Sequence, residues 1–185
     1  DKLLCGPQGG IIVYKNEYDS KINTSIFPKT QGGPIQNSLF SKTMCFLKLN
    51  SMDVHEYAKK VIYNTNLLIN TLKSENLNTI NDIAHNHIIL VDVTANGISG
   101  KIAEENLFKY GILVNRNQIP NDMQNALITS GVRIGTVPIT NLNYSNDDIN
   151  ILGKYLATVI KGEIPQKDIF TYLIEKYHRH INTSN

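Results

Sequence analysis

The feature that most constrains the fold is a buried strand placed between two helices with marked ends. The segment His87–Val93 reads HIILVDV, an apolar run of strand length. A long helix is predicted to start before it at Asp53, because Glu56 three residues later makes a capping box. After it, Ser99 predicts the start of a second helix and Gly111 its left-handed end.

Further elements follow from the same kinds of signal. Taken together, the order strand, helix, strand, strand, helix, helix predicts an α+β fold, a small sheet with helices on one face. The other predicted elements are a strand at Ile11–Tyr14, a helix over 35–49, strands at Ile112–Asn115 and Val132–Gly135, a helix from Ser145 to about Gly162, and a last helix from Pro165 to about His180.

Composition excludes several classes of protein. A hydrophobic fraction of 41% excludes a disordered chain, and no 18-residue apolar run predicts a membrane span. The formal net charge of +2 argues against a dedicated nucleic-acid binder, so neither a nucleic acid nor a membrane is an expected partner. Cys5 and Cys45 are too few for a disulfide scaffold, which favours a reducing compartment.

The beginning of the chain differs from a natural N-terminus. There is no initiator Met, no signal peptide and no Arg-rich transit segment. A turn leads at once into the apolar segment Ile11–Tyr14, and such a strand usually follows an earlier strand of the same sheet. We therefore expect a fragment of a longer protein.

Two glycine-rich segments near the beginning are candidate sites. Lys2 precedes the turn 6–10 (GPQGG), where a lysine with a depressed pKa could form a Schiff base, although a solvated surface lysine is the commoner explanation in a chain with 15 lysines. Gly32 and Gly33 precede a predicted helix, where backbone N–H groups could bind a phosphate. A turn that needs positive φ at either glycine explains that segment at least as well.

Two later segments carry polar groups beside strands. The amides of 115–122 (NRNQIPND), among them Asn117, could read a heterocycle by paired donors and acceptors, although an ordinary turn is the better explanation in an Asn-rich chain. Arg133 lies in an apolar strand, and an arginine buried there needs an anionic partner. A structural ion pair and a carboxylate-binding site are equally good explanations.

The histidines favour structural explanations. His85 and His87 would share one face of a strand, but no Cys, Asp or Glu cluster accompanies them, so no metal site is expected. The run 178–180 (HRH) places favourable charge near the end of a helix.

The order of these signals resembles the serine hydroxymethyltransferase family. The resemblance extends from Lys2 to about Thr140, and six ordered motifs make it specific. The motifs are Lys2 with Gly6-Pro7-x-Gly9-Gly10, then Phe27-Pro28-x-x-Gln31-Gly32-Gly33-Pro34, Asn86-His87-x-x-Leu90-Val91-Asp92, Gly97-x-x-Gly100-Lys101-x-Ala103-Glu104, Asn115-x-Asn117-x-Ile119-Pro120-Asn121-Asp122, and Ser130-Gly131-x-Arg133-x-Gly135-Thr136.

The resemblance implies a fold-type-I enzyme of the α/β class that uses pyridoxal phosphate. The family transfers the hydroxymethyl carbon of serine to tetrahydrofolate, giving glycine and 5,10-methylenetetrahydrofolate. Residues 1–48 would be the end of its large cofactor-binding domain. Residues 49–185 would be the α+β small domain, a short antiparallel sheet covered by helices.

The resemblance also implies roles for single residues. Lys2 matches the lysine that holds pyridoxal phosphate covalently, and Arg133 the arginine that binds the amino-acid carboxylate. Gly32 and Gly33 match a loop that reaches the cofactor phosphate of the neighbouring subunit, which implies a homodimer or homotetramer. Asn117 matches a position that contacts the folate ring.

Several positions depart from the family pattern. The lysine is usually preceded by His rather than Asp1, Gln8 replaces an Arg, and Asn37 replaces a His. The family's Gly-Thr-Pro-Ala becomes Gly-Thr-Val-Pro at 135–138, and an expected Arg-Gly is replaced by Leu-Asn at 142–143. The remaining cofactor-binding and catalytic residues of the family precede the lysine, so this fragment alone is expected to be inactive.

Two alternatives to an authentic, divergent serine hydroxymethyltransferase stay open. One is a non-catalytic homologue that acts as an interaction or regulatory subunit of an active paralogue. The other is a different fold-type-I enzyme, such as an aminotransferase or an aldolase acting on threonine. A divergent copy favours the mitochondrion or another organelle, with the cytoplasm as the alternative.

Overall fold

The chain divides into two compact units, Asp1–His55 and Glu56–Asn185. In the computed structural model, residues 2–178 are described. The first unit contains a short 3₁₀ turn at Asn16–Tyr18, helix α1 (Asp19–Thr24), a distorted helical turn at Ser25–Thr30, and helix α2 (Gln36–Asn50). No residue between 2 and 55 is buried.

The prediction of a strand at Ile11–Tyr14 is wrong. This segment has no regular secondary structure and pairs with no strand among the described residues. Its three aliphatic side chains are exposed, with Val13 at 92%. A strand is stable only when a neighbouring strand takes up its backbone hydrogen bonds, so an apolar sequence alone does not make one.

The second unit is built on a four-stranded antiparallel sheet in the order β1-β2-β4-β3. This bears out the predicted α+β arrangement. The long helix α3 starts at the boundary between the units. In chain order the elements are α3 (Val54–Ser74), β1 (Asn78–Thr79), β2 (Ile88–Asp92), a 3₁₀ turn (Thr94–Asn96), α4 (Gly100–Lys109), β3 (Asn115–Asn117), β4 (Gly131–Gly135), α5 (Val137–Asn141), α6 (Asn146–Ile160) and α7 (Lys167–His178).

Helices cover one face of this sheet and form the core with it. On that face the strands present fully buried aliphatic side chains, which pack with the apolar sides of α3, α4 and α6. The sheet contributes Ile89, Val91, Val132 and Ile134, and the three helices contribute Leu68, Ile69, Leu72, Ala103, Leu107, Ile149, Leu156 and Ile160.

The predicted helix ends are confirmed where capping residues mark them. The Ser99 hydroxyl accepts a hydrogen bond from the Ile102 N–H at the start of α4. At its other end Gly111 has φ of +78°, the left-handed conformation that glycine adopts without strain. In the same way, the Ser145 hydroxyl accepts from the Asp148 N–H at the start of α6.

Other predicted boundaries need correction. Ile112–Asn115 is not a strand: the Ile112 N–H closes the end of α4 on the Leu107 carbonyl, and pairing with β4 begins only at Asn115. Pro165 precedes α7 rather than lying in its first turn. The short elements β1 and α5 were not predicted. Arg179 and His180 lie outside the described residues.

A buried carboxylate joins the last two helices. Asp148, at the start of α6, is 1% exposed. It accepts hydrogen bonds from the Lys176 ammonium at 2.7 Å, from the Tyr172 hydroxyl at 3.0 Å and from the Tyr177 hydroxyl, all on α7. Burial alone would raise the pKa of Asp148, but these donors and the Ser145 hydroxyl outweigh it and hold that pKa well below its usual range.

We expect Asp148→Asn to lower the free energy of unfolding by about 2 kcal/mol at pH 7, because charge-assisted hydrogen bonds are lost. A depressed folded-state pKa gives stability that is present above the ordinary carboxyl pKa, about 4, and is lost as pH falls toward the folded value. The difference between variant and wild type should therefore shrink between about pH 5 and pH 2.

Denaturant unfolding at several pH values measures this difference. Asp147→Asn is the matched control, since Asp147 is the exposed neighbour on the same helix turn. A deficit in Asp148→Asn that stays constant across this pH range, or one no larger than that of the control, would contradict the explanation.

Candidate active site

The face of the sheet that the helices leave uncovered carries the predicted polar residues of the second unit. Arg133 lies on the inner strand β4. Its neighbours Val132 and Ile134 are buried and point to the helix-covered face. Its register partners are Leu90 on β2 and Asn115 on β3. Alternation along β3 puts Asn117 on the same face as Asn115. The fold thus brings Arg133 and Asn117 to one face.

Arg133 has no carboxylate partner among residues 2–178. Its side chain is half-buried, and its Nη2 donates a hydrogen bond to the Asn115 Oδ1 at 3.4 Å. Of the two explanations that the sequence left open, the structural ion pair is not found in this part of the chain. A guanidinium that keeps its charge and most of its donors can bind a carboxylate in bidentate fashion.

The neighbouring arginine on β3 shows the opposite arrangement. Arg116 points to the helix-covered face, where its Nη1 donates to the Glu104 carboxylate of α4 at 3.1 Å. The backbone N–H of Arg116 donates to the other oxygen of Glu104, also at 3.1 Å. Glu104 therefore neutralises Arg116 and fixes β3 to α4, and Arg116 is structural.

The segment predicted as a loop at 115–122 is partly strand. Asn115–Asn117 forms β3, and the loop begins at Gln118. The Asn117 side chain donates to the Gln118 carbonyl at 2.7 Å and leaves its Oδ1 without a described partner in residues 2–178. Asn117 is the last residue of β3, so it lies at the junction of the sheet with the loop.

A single carboxylate organises the loop that follows. Asp122 accepts hydrogen bonds from the Ser130 hydroxyl at 2.6 Å and from the backbone N–H groups of Gln124, Ser130 and Ile119. Partial desolvation opposes its ionisation, but these donors outweigh desolvation and lower its pKa to about 2. Sequence reasoning missed this role, and the only signal was the turn chemistry of Asn121-Asp122.

We expect Asp122→Asn to loosen the loop over residues 118–130 while the sheet stays folded. An amide cannot accept all four hydrogen bonds that the carboxylate accepts, so at least one of the backbone N–H groups of Ile119, Gln124 and Ser130 should exchange with solvent at least about tenfold faster. Hydrogen exchange measures this, and Asp168→Asn, at an exposed position of α7, is the control. Unchanged exchange in the loop would contradict the role of Asp122.

The first unit carries the two other predicted positions, and Lys2 is one of them. Its side chain is exposed, and its carbonyl accepts from the Cys5 N–H at 3.1 Å, which closes a turn directly after the lysine. The Cys45 thiol of α2 donates to the Leu4 carbonyl at 3.2 Å, so this turn is fixed to helix α2. Asp1 is outside the described residues.

Gly32 and Gly33 lead into α2 and leave their backbone open. Neither has a positive φ, so the alternative of a turn that requires one is wrong. No described residue other than its chain neighbours has an atom within 4 Å of the place where a Cβ would stand on either glycine. The first N–H groups of α2 have no side-chain cap at Ile35. This arrangement fits a phosphate, because free N–H groups at a helix start attract anions.

A groove beside these glycines carries one cationic side chain. It is lined by Gln8, Gly32, Gly33, Ser38 and Lys42, among others. Gln8 contributes a neutral amide to the lining, and Lys42 is the cationic residue among those that line it.

Neither a metal-binding cluster nor a membrane-spanning helix is found among the described residues. Within residues 2–178, no three His, Cys, Asp or Glu side chains are grouped so that they could hold a metal ion. No described helix combines the length and hydropathy that crossing a membrane requires. The predicted pair His85 and His87 lies just before β2, with His85 exposed.

The comparison with known proteins decides the family. The profile of the family described as serine hydroxymethyltransferase matches residues 1–156. This chain belongs to the serine hydroxymethyltransferase family. Two relatives, both named serine hydroxymethyltransferase, come from Bordetella avium and Paracidovorax citrulli. They are 35% and 37% identical to it over 91% and 87% of this chain. The chain spans about 40% of the length of these relatives.

Family membership gives the structural motifs a common explanation. In the segment 97–104, a Cβ on Gly100 would overlap the Gly131 carbonyl and the Thr129 hydroxyl, so only glycine allows α4 to approach β4 this closely. Ala103 is fully buried, and Glu104 holds Arg116. This serine hydroxymethyltransferase motif therefore fixes the sheet that carries Arg133 and Asn117.

Proposed function

We propose that the protein carrying this chain is a divergent serine hydroxymethyltransferase that converts serine and tetrahydrofolate to glycine and 5,10-methylenetetrahydrofolate. The observation that carries the proposal is Arg133: an arginine on the open face of the sheet with no carboxylate partner in the described part of the chain. Family membership gives this arginine a substrate carboxylate to bind.

Pyridoxal phosphate is the proposed cofactor, and the residues present fit it. The Lys2 amine would hold it covalently. Gly32, Gly33 and the uncapped start of α2 would bind the phosphate of the neighbouring subunit's cofactor, since their N–H groups are open. When bound, this cofactor withdraws electrons from the carbon atoms of the amino acid and so allows the bond to the hydroxymethyl carbon to break.

The chain's own residues would bind and orient the substrates. Arg133 would hold the carboxylate of serine through two parallel N–H donors and so fix the amino acid against rotation. Asn117 would contact the ring of tetrahydrofolate, and its free Oδ1 is the acceptor available for that ring. Because Gly32 and Gly33 would serve the cofactor of a neighbouring subunit, the proposed assembly is a homodimer or homotetramer. Its proposed compartment is the mitochondrion or another organelle.

Borohydride reduction tests the cofactor site directly. The full-length protein is loaded with pyridoxal phosphate, reduced, digested and mapped by mass spectrometry. We expect one equivalent of the reduced adduct on Lys2. In a separate sample that is not reduced, we expect serine-dependent release of glycine when tetrahydrofolate is present. Lys2→Ala should lose both, because only this amine would form the link to the cofactor.

Lys154→Ala is the matched control, since Lys154 is an exposed lysine of α6. It should label and react like the wild type. Adduct scattered over many lysines, with no preference for Lys2, would contradict the proposed cofactor site. Stoichiometric labelling of Lys2 without glycine release would contradict the proposed reaction while keeping the cofactor.

A non-catalytic homologue is the second candidate, favoured by the departures at Asp1, Gln8 and Asn37. Gln8 lies in the groove with Gly32 and Gly33, so its neutral side chain weakens the attraction for a phosphate. Such a protein would act as an interaction or regulatory subunit of an active paralogue. Co-expression and co-purification test it: failure to associate with an active serine hydroxymethyltransferase subunit would exclude this candidate.

A further inference from the structure

Two arginines lie at adjacent register positions of β3 and β4, and their hydrogen-bond partners differ in charge. Arg116 is neutralised by Glu104 through two hydrogen bonds. Arg133, on the opposite face, donates a hydrogen bond to the amide oxygen of Asn115 instead of to a carboxylate. An amide accepts a hydrogen bond without neutralising the charge, whereas a carboxylate would do both.

The position of Asn115 is set by the backbone. It is the register partner of Arg133 across the antiparallel pair of β3 and β4. Side chains directly opposite on one face lie close enough to interact. Its Oδ1 accepts from the Nη2 of Arg133 at 3.4 Å, on one edge of the guanidinium. The remaining guanidinium donors have no described partner within residues 2–178.

A carboxylate on this face of the sheet, Asp92, is engaged elsewhere. Asp92 on β2 is the register partner of Gly131, one diagonal step from Arg133. One of its oxygens accepts from the N–H and hydroxyl of Thr94 at 2.9 and 2.6 Å. The other accepts from the Asn78 side chain at 3.3 Å. Asp92 is therefore held toward β1 and leaves Arg133 its charge.

Space for a ligand lies on one side of the arginine. Gly131 and Gly135 flank Arg133 on β4 and face the same way. The space above Gly131 is filled by Ile119, whose Cγ2 would touch a Cβ placed there. Above Gly135, no described residue other than its chain neighbours has an atom within 4 Å of that place. On this face the space above Gly131 is thus occupied, whereas the space above Gly135 is open in the described part of the chain.

We propose that Asn115 is a positioning residue, which orients the Arg133 guanidinium by an uncharged hydrogen bond and leaves its charge for the carboxylate of an amino-acid substrate. This inference rests on the proposed function, because it takes the ligand of Arg133 to be an amino acid. Asn115 itself does not touch the substrate; it acts through Arg133. An acidic residue at 115 would instead occupy the guanidinium and compete with the substrate.

Glycine binding to the full-length protein loaded with pyridoxal phosphate tests this role by isothermal titration calorimetry. Asn115→Asp should raise the Kd for glycine at least about tenfold, because its carboxylate competes for Arg133. Asn115→Ala should raise it about two- to fivefold, because one orienting hydrogen bond is lost. Asn70→Asp, the same charge change at an exposed position of α3, should leave the Kd unchanged.

Steady-state kinetics distinguish a positioning role of Asn115 from a merely structural one. In Asn115→Asp the KM for serine should rise with the Kd, while kcat at saturating serine stays within about twofold of the wild type. A thermal unfolding midpoint equal to that of Asn70→Asp checks that the variant is folded. If Asn115→Asp unfolds, Asn115→Ala alone decides.

The outcomes separate this inference from the proposed function. Glycine Kd values in the variants equal to those of the wild type and of Asn70→Asp would overturn the role of Asn115, as would a wild-type protein that binds no glycine. Glycine binding that is weakened as expected in Asn115→Asp, in a protein that releases no glycine from serine, would support the inference and contradict the proposed hydroxymethyl transfer.

Discussion

The pairing of β4 with its two neighbours is the interaction on which the second unit depends. β4 is the central partner of β2 and β3, and it takes up the backbone hydrogen bonds of both. Its register decides which side chains face the helices. A slip of one residue would turn Val132 and Ile134 toward solvent and bury Arg133 against the core, and burying an unpaired guanidinium is very costly. The hydrophobic core and the position of the arginine on the open face therefore enforce the same register.

The polar contacts around the sheet support that register from its ends. Gly100 lets α4 approach β4, Glu104 ties Arg116 of β3 to α4, and Asp122 closes the loop between β3 and β4 onto Ser130. Each of these groups makes its contact within the protein. Together they hold the open face on which Arg133, Asn115 and Asn117 lie, so these parts of the family motifs have a structural explanation.

Sequence reasoning predicted the elements that carry strong local signals. The capping serines at 99 and 145 and the apolar run of β2 were found because each acts within a few residues. β3 was misplaced because the apolar residues 112–114 resemble a strand, while the actual strand Asn115–Asn117 is polar and is defined only by pairing with β4. The hydrogen bonds to Asp122 and those from tyrosines to Asp148 join segments that are distant in sequence. No local sequence pattern reveals such contacts. The roles of Lys2, Gly32, Gly33, Asn117 and Arg133 came from the resemblance, and they stay predictions.

The central claim is that Arg133, uncompensated on the open face of the sheet, binds the carboxylate of an amino acid. The most direct test is the KM for serine of Arg133→Lys in the full-length protein loaded with pyridoxal phosphate. A lysine keeps the charge but loses the bidentate geometry, so the KM for serine should rise about tenfold or more, while the KM for tetrahydrofolate stays within about threefold. A KM for serine equal to that of the wild type would contradict the account.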